Sequence, residues 1–147
     1  MRAQWSSLGA LVVSAALCAD PSPAPGAAPE AIVQAQLEAY NARDLGGFLA
    51  TYAENAELFE HPSKLLASGV AQLRERYAAR FAEPNLHARV IQRIVMGNIV
   101  IDHERVTRTF PTGTGTVDAI AMYEVEGRRI RRVWFVFGEP VLEPTAP

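Results

Sequence analysis

The spacing of apolar residues along the chain changes once, at Pro84. Before it, apolar residues recur every three or four positions: Val33, Leu37 and Tyr40, then Leu45, Phe48, Leu49 and Tyr52, then Val70, Leu73, Tyr77 and Phe81. That spacing predicts three amphipathic helices. The first opens at Pro29 with Glu30 behind it, a proline and an acid where a helix start favours them. The second is capped by Asp44 and weakened by Gly46 and Gly47. The third runs from near Ser68 to Glu83 and stops at Pro84. Between the second and third, ENAELFEHP reads as a short strand ended by Pro62. After Pro84 the period falls to two, in LHARVIQRIV, IVIDHERVTRTF, TVDAIAMYEVE and IRRVWFVF, joined by turns at Gly97-Asn98, PTGTG and Gly127. Successive alternating strands with short turns predict an antiparallel meander.

Helices first and a meander afterwards define an α+β class: a curved antiparallel sheet with about three N-terminal helices on one face. The chain has 147 residues, 49% of them hydrophobic, and a net charge of -2, which suits one domain able to bury a core. A weakly acidic chain has no general attraction to nucleic acid or anionic lipid. The basic run GRRIRR (Gly127 to Arg132) alternates around Ile130 and reads as a solvated strand start, so no nucleic-acid partner is expected.

The N-terminus has a different character. Arg2 precedes the apolar run LGALVVSAAL, which is too short to span a bilayer, and small residues and a Pro/Ala-rich stretch follow. This order predicts a signal peptide over 1–19, a tether over 20–28, the folded domain over 29–140 and a tail over 141–147. The expected product is an exported protein, periplasmic or secreted. Anchoring as a lipoprotein through Cys18 is the lesser alternative, because Leu17 is larger than the small residue such a site needs. With no other cysteine, no disulfide is expected in the mature chain.

A helix, the segment YNARDLGGFLATYAENAELFEHP, a further helix and four long strands closing in WFVFGEP resemble the nuclear transport factor 2 superfamily, within it the SnoaL-like and ketosteroid-isomerase-like branch. The resemblance covers about Pro29 to Pro140 and implies a cone-shaped fold around a small-molecule pocket. Ketosteroid isomerases pair a carboxylate base with a tyrosine and a protonated carboxylic acid. Aligned without gaps, Glu60 takes the place of the base, but Gln36 and Ala121 stand where the tyrosine and the acid belong. The resemblance therefore implies a pocket and one base, not steroid isomerisation.

Strand alternation points to the same base. Ala56, Leu58 and Glu60 share one face and Glu57, Phe59 and His61 the other, so Glu60 is expected to enter the cavity and His61 to sit at its rim as a candidate ligand contact. A carboxylate in an apolar cavity has its pKa raised, which suits a general base. Alternatively, Glu60 pairs with an arginine and only shapes the pocket. In IDHERVTR, Asp102, Glu104, Val106 and Arg108 share a face, which the resemblance turns toward the cavity. Asp102 and Glu104 are second candidates for catalysis and Arg108 for ligand binding; the competing reading is a ladder of cross-strand ion pairs. The resemblance to epoxide hydrolases, which use an arginine and two aspartates, carries over no roles because the spacing differs. Tyr123 shares a parity with Ala119 and Ala121, so its hydroxyl is a candidate ligand contact. Trp134, Phe135 and Phe137 are core and interface residues first, with Trp134 also a candidate contact.

His61, His87 and His103 fall on separate strands without ligand spacing, so no metal site is expected, and no motif calls for a cofactor. Three functions stay open: a cofactor-free acid/base isomerase, cyclase or hydrolase acting on an apolar small molecule, a binding protein of the same fold, and a structural dimer. Ile99, Ile101, Ile120 and Met122 fall on the face away from the pocket and predict a homodimer.

Overall fold

A computed structural model of the protein describes residues 28–145. The expected leader, most of the tether and Cys18 lie outside the described residues. Helix α1 (Ala28–Ala42) buries Val33, Gln36 and Tyr40 along one stripe. Asp44 caps α2 (Leu45–Ala50), its carboxylate accepting the Gly47 N–H at 2.9 Å, as its place before an apolar stripe predicts. Tyr52 continues that stripe in sequence but already belongs to strand β1 (Tyr52–Glu60). A short strand, β2 (Lys64–Ser68), turns back along β1. Five residues with one buried position are too few for period counting to detect. In α3 (Gly69–Phe81), Gln72 accepts the Ser68 N–H at 2.8 Å and satisfies a donor at the helix start.

The meander follows as β3 (His87–Met96), β4 (Ile99–Phe110), β5 (Gly113–Glu126) and β6 (Arg129–Phe137). Gly97 and the Gly127-Arg128 pair take positive φ in the tight turns, which glycine adopts at no steric cost. A two-residue strand, β7 (Val141–Leu142), in the expected tail pairs with β5 at Gly115, where a Cβ would run into the Val141 carbonyl.

The sheet has the order β2-β1-β6-β5-β4-β3, with β7 joined to β5. Its meander is antiparallel, but β1 runs parallel to β6, so the seven-stranded curved sheet is mixed rather than antiparallel throughout. The helices cover one face, and the core between the layers is rich in rings. Phe48 lies 4.3 Å from Tyr77 and 5.1 Å from Tyr52 between centroids, and Tyr40 meets Phe81 edge-on at 5.5 Å. Fully buried Leu58, Leu73, Ile130 and Val133 complete it, each side chain contributing about 1.5–3 kcal/mol by burial. Among the described residues no helix is long and apolar enough to cross a membrane.

Candidate functional site

The core is incomplete at one end. Between α1, α3 and the helix-facing side of β4, β5 and β6, a cavity of about 280 Å³ remains. The β4–β5 ladder runs unbroken from Ile99↔Glu124 to Phe110↔Gly113, so alternation holds along it and points Glu104, Val106 and Arg108 at the cavity together with Val117, Ala119 and Tyr123. Gln36, Tyr40 and Tyr77 enter from the helices, and Phe135 and Phe137 from β6.

Glu104 is the buried carboxyl of this cavity, 8% exposed. The Tyr123 hydroxyl donates to its Oε1 at 3.2 Å. Among the described residues no buried side-chain oxygen or nitrogen lacks a partner, so the oxygen that Tyr123 leaves free keeps access to the cavity. No cation of the described residues lies within ion-pair distance of it. Burial, and after it the negative charge of Asp102, push the Glu104 pKa up to about 7, against the pull of the Tyr123 hydrogen bond and the Arg93 charge. Burial raises the pKa of Tyr123 well above its ordinary value, which keeps the phenol a neutral donor.

Asp102, two residues before Glu104, has a different environment. It is fully buried, and the Arg93 guanidinium grips it with two hydrogen bonds, Nε to Oδ1 at 2.7 Å and Nη2 to Oδ2 at 2.8 Å. Arg93 and Asp102 are direct partners across β3 and β4. Of the two readings of this strand, Asp102 thus follows the ion-pair ladder and Glu104 the cavity. Arg108 lines the cavity and donates to Glu83 at 2.6 Å, its guanidinium 5.3 Å from the Phe110 ring centre.

The expected placement of Glu60 is not met. Ala56 and Leu58 are buried as alternation requires, and Glu60 keeps their parity, standing opposite Phe135 of β6. At the very end of β1, however, Glu60 lies outside the cavity lining, its side chain 40% exposed and 3.6 Å from Lys64. His61 is exposed and also off the cavity. Trp134 lies opposite Met122 on the outer face of the sheet and stacks on Phe59 at 5.9 Å, so its neighbours Phe135 and Phe137 are the ones that reach the cavity. Gln36 does line it and donates to the Tyr52 hydroxyl at 3.2 Å, while Ala121 is buried. Sequence reading missed Arg76 and Arg80, which line the cavity from α3. The signal was their spacing, since Leu73, Arg76, Tyr77 and Arg80 form one helical stripe. No three His, Cys, Asp or Glu side chains of the described residues come together as a metal site would need.

Solved structures share this architecture. An uncharacterized cystatin fold protein from Novosphingobium aromaticivorans is 27% identical, with 73% of this chain and 96% of that one covered at a TM-score of 0.67. An NTF2-like protein of unknown function from Cytophaga hutchinsonii (15% identity, 75% and 89% covered, TM-score 0.62) and an LEH-like epoxide hydrolase from M. tuberculosis (12%, 77% and 84%, 0.68) share the fold at lower identity. No curated protein matches the chain. The SnoaL-like domain model matches residues 33–133, from the first buried residue of α1 to the middle of β6. That span includes Glu104, Tyr123 and both layers of the core, and by it the chain belongs to the SnoaL-like domain family.

Proposed function

We propose that the protein binds a largely apolar small molecule in this cavity and acts on it by cofactor-free acid/base chemistry, with Glu104 as the group that moves the proton. The observation that carries the reading is a carboxyl inside an apolar cavity whose pKa lies near 7, where acid and base forms are both populated. Ionised, Glu104 accepts a proton from a bound carbon acid or from water. Protonated, it donates to a ligand oxygen. Tyr123 fixes one carboxylate oxygen and leaves the other to the ligand, and the walls of Tyr40, Tyr77 and Phe135 limit water. Asp102, already held by Arg93, supplies negative charge that keeps the Glu104 proton available. The test is the pH dependence of turnover, with an inflection near 7 expected. Ligand binding without any turnover would leave a binding protein.

The same proposal includes a homodimer formed through the outer sheet face. There Ile94, Ile101, Met122 and Trp134 stand opposite one another in a row across β3, β4, β5 and β6, with Ile94, Ile120 and Val136 exposed. An uncovered apolar row of this extent favours self-association. Light scattering at micromolar concentration is expected to give the mass of a dimer, and Met122→Glu that of a monomer. A monomeric parent protein would exclude this interface. Export is proposed on the order of Arg2, the apolar run and the small-residue junction. Intact mass of protein from its native host is expected to lack about the first nineteen residues, and an unprocessed Met1 would argue against export.

A further inference from the structure

At the α3 side of the cavity the charges do not balance. Arg76 and Arg80 stand one turn apart on α3, and Arg108 approaches from β4; all three line the cavity. Glu83 is the only carboxylate of the described residues within ion-pair distance of any of them. It lies 3.5 Å from Arg80 and 2.6 Å from Arg108, and it also accepts the Thr109 N–H at 3.2 Å. Its oxygens are thus committed, and Arg76 has no carboxylate partner among the described residues. Two guanidinium groups share one anion and the third has none, in a wall where burial and the charge of Arg108 already lower the pKa of Arg80. Like charges held together beside an apolar cavity are unfavourable until an anion joins them.

We propose that the ligand carries an anionic group, a carboxylate or an equivalent oxyanion, which Arg76, Arg80 and Arg108 receive while its apolar body lies toward Glu104. This rests on the reading of the cavity as the ligand site and adds the substrate class: an amphipathic organic acid. Guanidinium groups suit the role because their planar donors match a carboxylate two at a time. The apolar part meets Tyr40, Tyr77, Phe135 and Phe137. A volume of about 280 Å³ has room for on the order of ten non-hydrogen atoms at roughly 30 Å³ each, so a one-ring acid fits with its charged end in the mouth. Fixing that end by charge orients the molecule, and the proton handled by Glu104 is then one remote from the acid group.

The test is binding alone, so it stands apart from whether Glu104 catalyses anything. Calorimetry compares 3-phenylpropionate with its neutral isostere 3-phenylpropionamide at about pH 6, where the acid is ionised. The parent protein is expected to bind the acid about tenfold or more tightly than the amide, the worth of a charged hydrogen bond. Arg76→Gln is expected to narrow that ratio, and Arg76→Gln/Arg80→Gln to remove it while amide binding persists. Arg76→Lys is expected to restore part of the preference, which a general loss of structure would not allow. Equal affinities for acid and amide, no binding of the acid at about 10 mM, or a ratio unchanged in the double variant would each overturn the proposal.

Discussion

Glu104→Gln is expected to lower turnover by about two to four orders of magnitude, the usual worth of a positioned acid or base. The amide keeps the volume of the side chain, and its carbonyl can still accept the Tyr123 hydroxyl. What it loses is the exchangeable proton. The inflection near pH 7 expected of the parent protein from the Glu104 pKa is expected to vanish with it, while apolar ligand binding changes little. Glu60→Gln, on a half-exposed side chain beside Lys64, is the control and is expected to leave turnover nearly unaltered. The reverse outcome, a dead Glu60→Gln beside an active Glu104→Gln, would return the chemistry to the end of β1 and remove Glu104 from it.

The same substitution is expected to stabilise the fold above neutrality. Glu104 has a folded pKa of about 7 against an ordinary 4.5, so between those values the folded state holds a proton that the unfolded chain releases. Its favourable contribution is complete below about pH 4.5 and declines as pH rises, until the carboxyl is ionised above about 7. A displacement of that size corresponds to about 3 kcal/mol. Denaturant unfolding is expected to show Glu104→Gln more stable than the parent at about pH 8, by an amount of that order, with the difference shrinking toward pH 4.5. Glu83 has the opposite sign. Partial burial raises its pKa, but hydrogen bonds from Arg108 and Thr109 and the charges of Arg108 and Arg80 outweigh that and hold it low. Its contribution is lost only on acidification, and it is common to both proteins, so it drops out of the comparison. A difference in stability that does not vary with pH would show that Glu104 is not ionised by pH 8.

Both predictions concern one side chain, and that side chain was legible in the sequence only in part. Parity along IDHERVTR put Asp102, Glu104 and Arg108 on one face, and they share one because β4 pairs with β5 without a shift for its whole length. Which face meets the cavity was not legible from parity. Parity could not divide Asp102 from Glu104, since that depends on Arg93 standing opposite Asp102 in β3. Along ENAELFEHP the same reasoning failed at its last step. Alternation holds there, since Phe59 and Glu60 stand opposite Trp134 and Phe135 of β6, but Glu60 is the last residue of β1 and lies beside Lys64, off the cavity. Period counting gives the face of a side chain and not how far a cavity extends along the strand. For WFVF the alternation was legible, but which half faced the cavity depended on Phe135 lying opposite Ala121, a pairing between strands. The helices were the most legible, down to the Asp44 cap, because their signals are local. The parallel pairing of β1 with β6 and the short β2 and β7 left no such local mark.

That parallel pairing also bears on synthesis of the chain. Strand β1 and the strands β3 to β5 are made early, yet they share no ladder; β6, near the C-terminal end of the domain, is inserted between β1 and β5 and joins them. Until Arg129–Phe137 has emerged from the ribosome, the β1–β2 hairpin and the three-stranded meander each present an open edge. Tyr52 and Leu58 then lack Ile130 and Val133, their partners across the junction. Contacts so distant in sequence form slowly, and unpaired edges are where nascent chains associate wrongly. Chains truncated before residue 129 would therefore hold two separate pieces of sheet, and it is β6 that commits the domain to its fold.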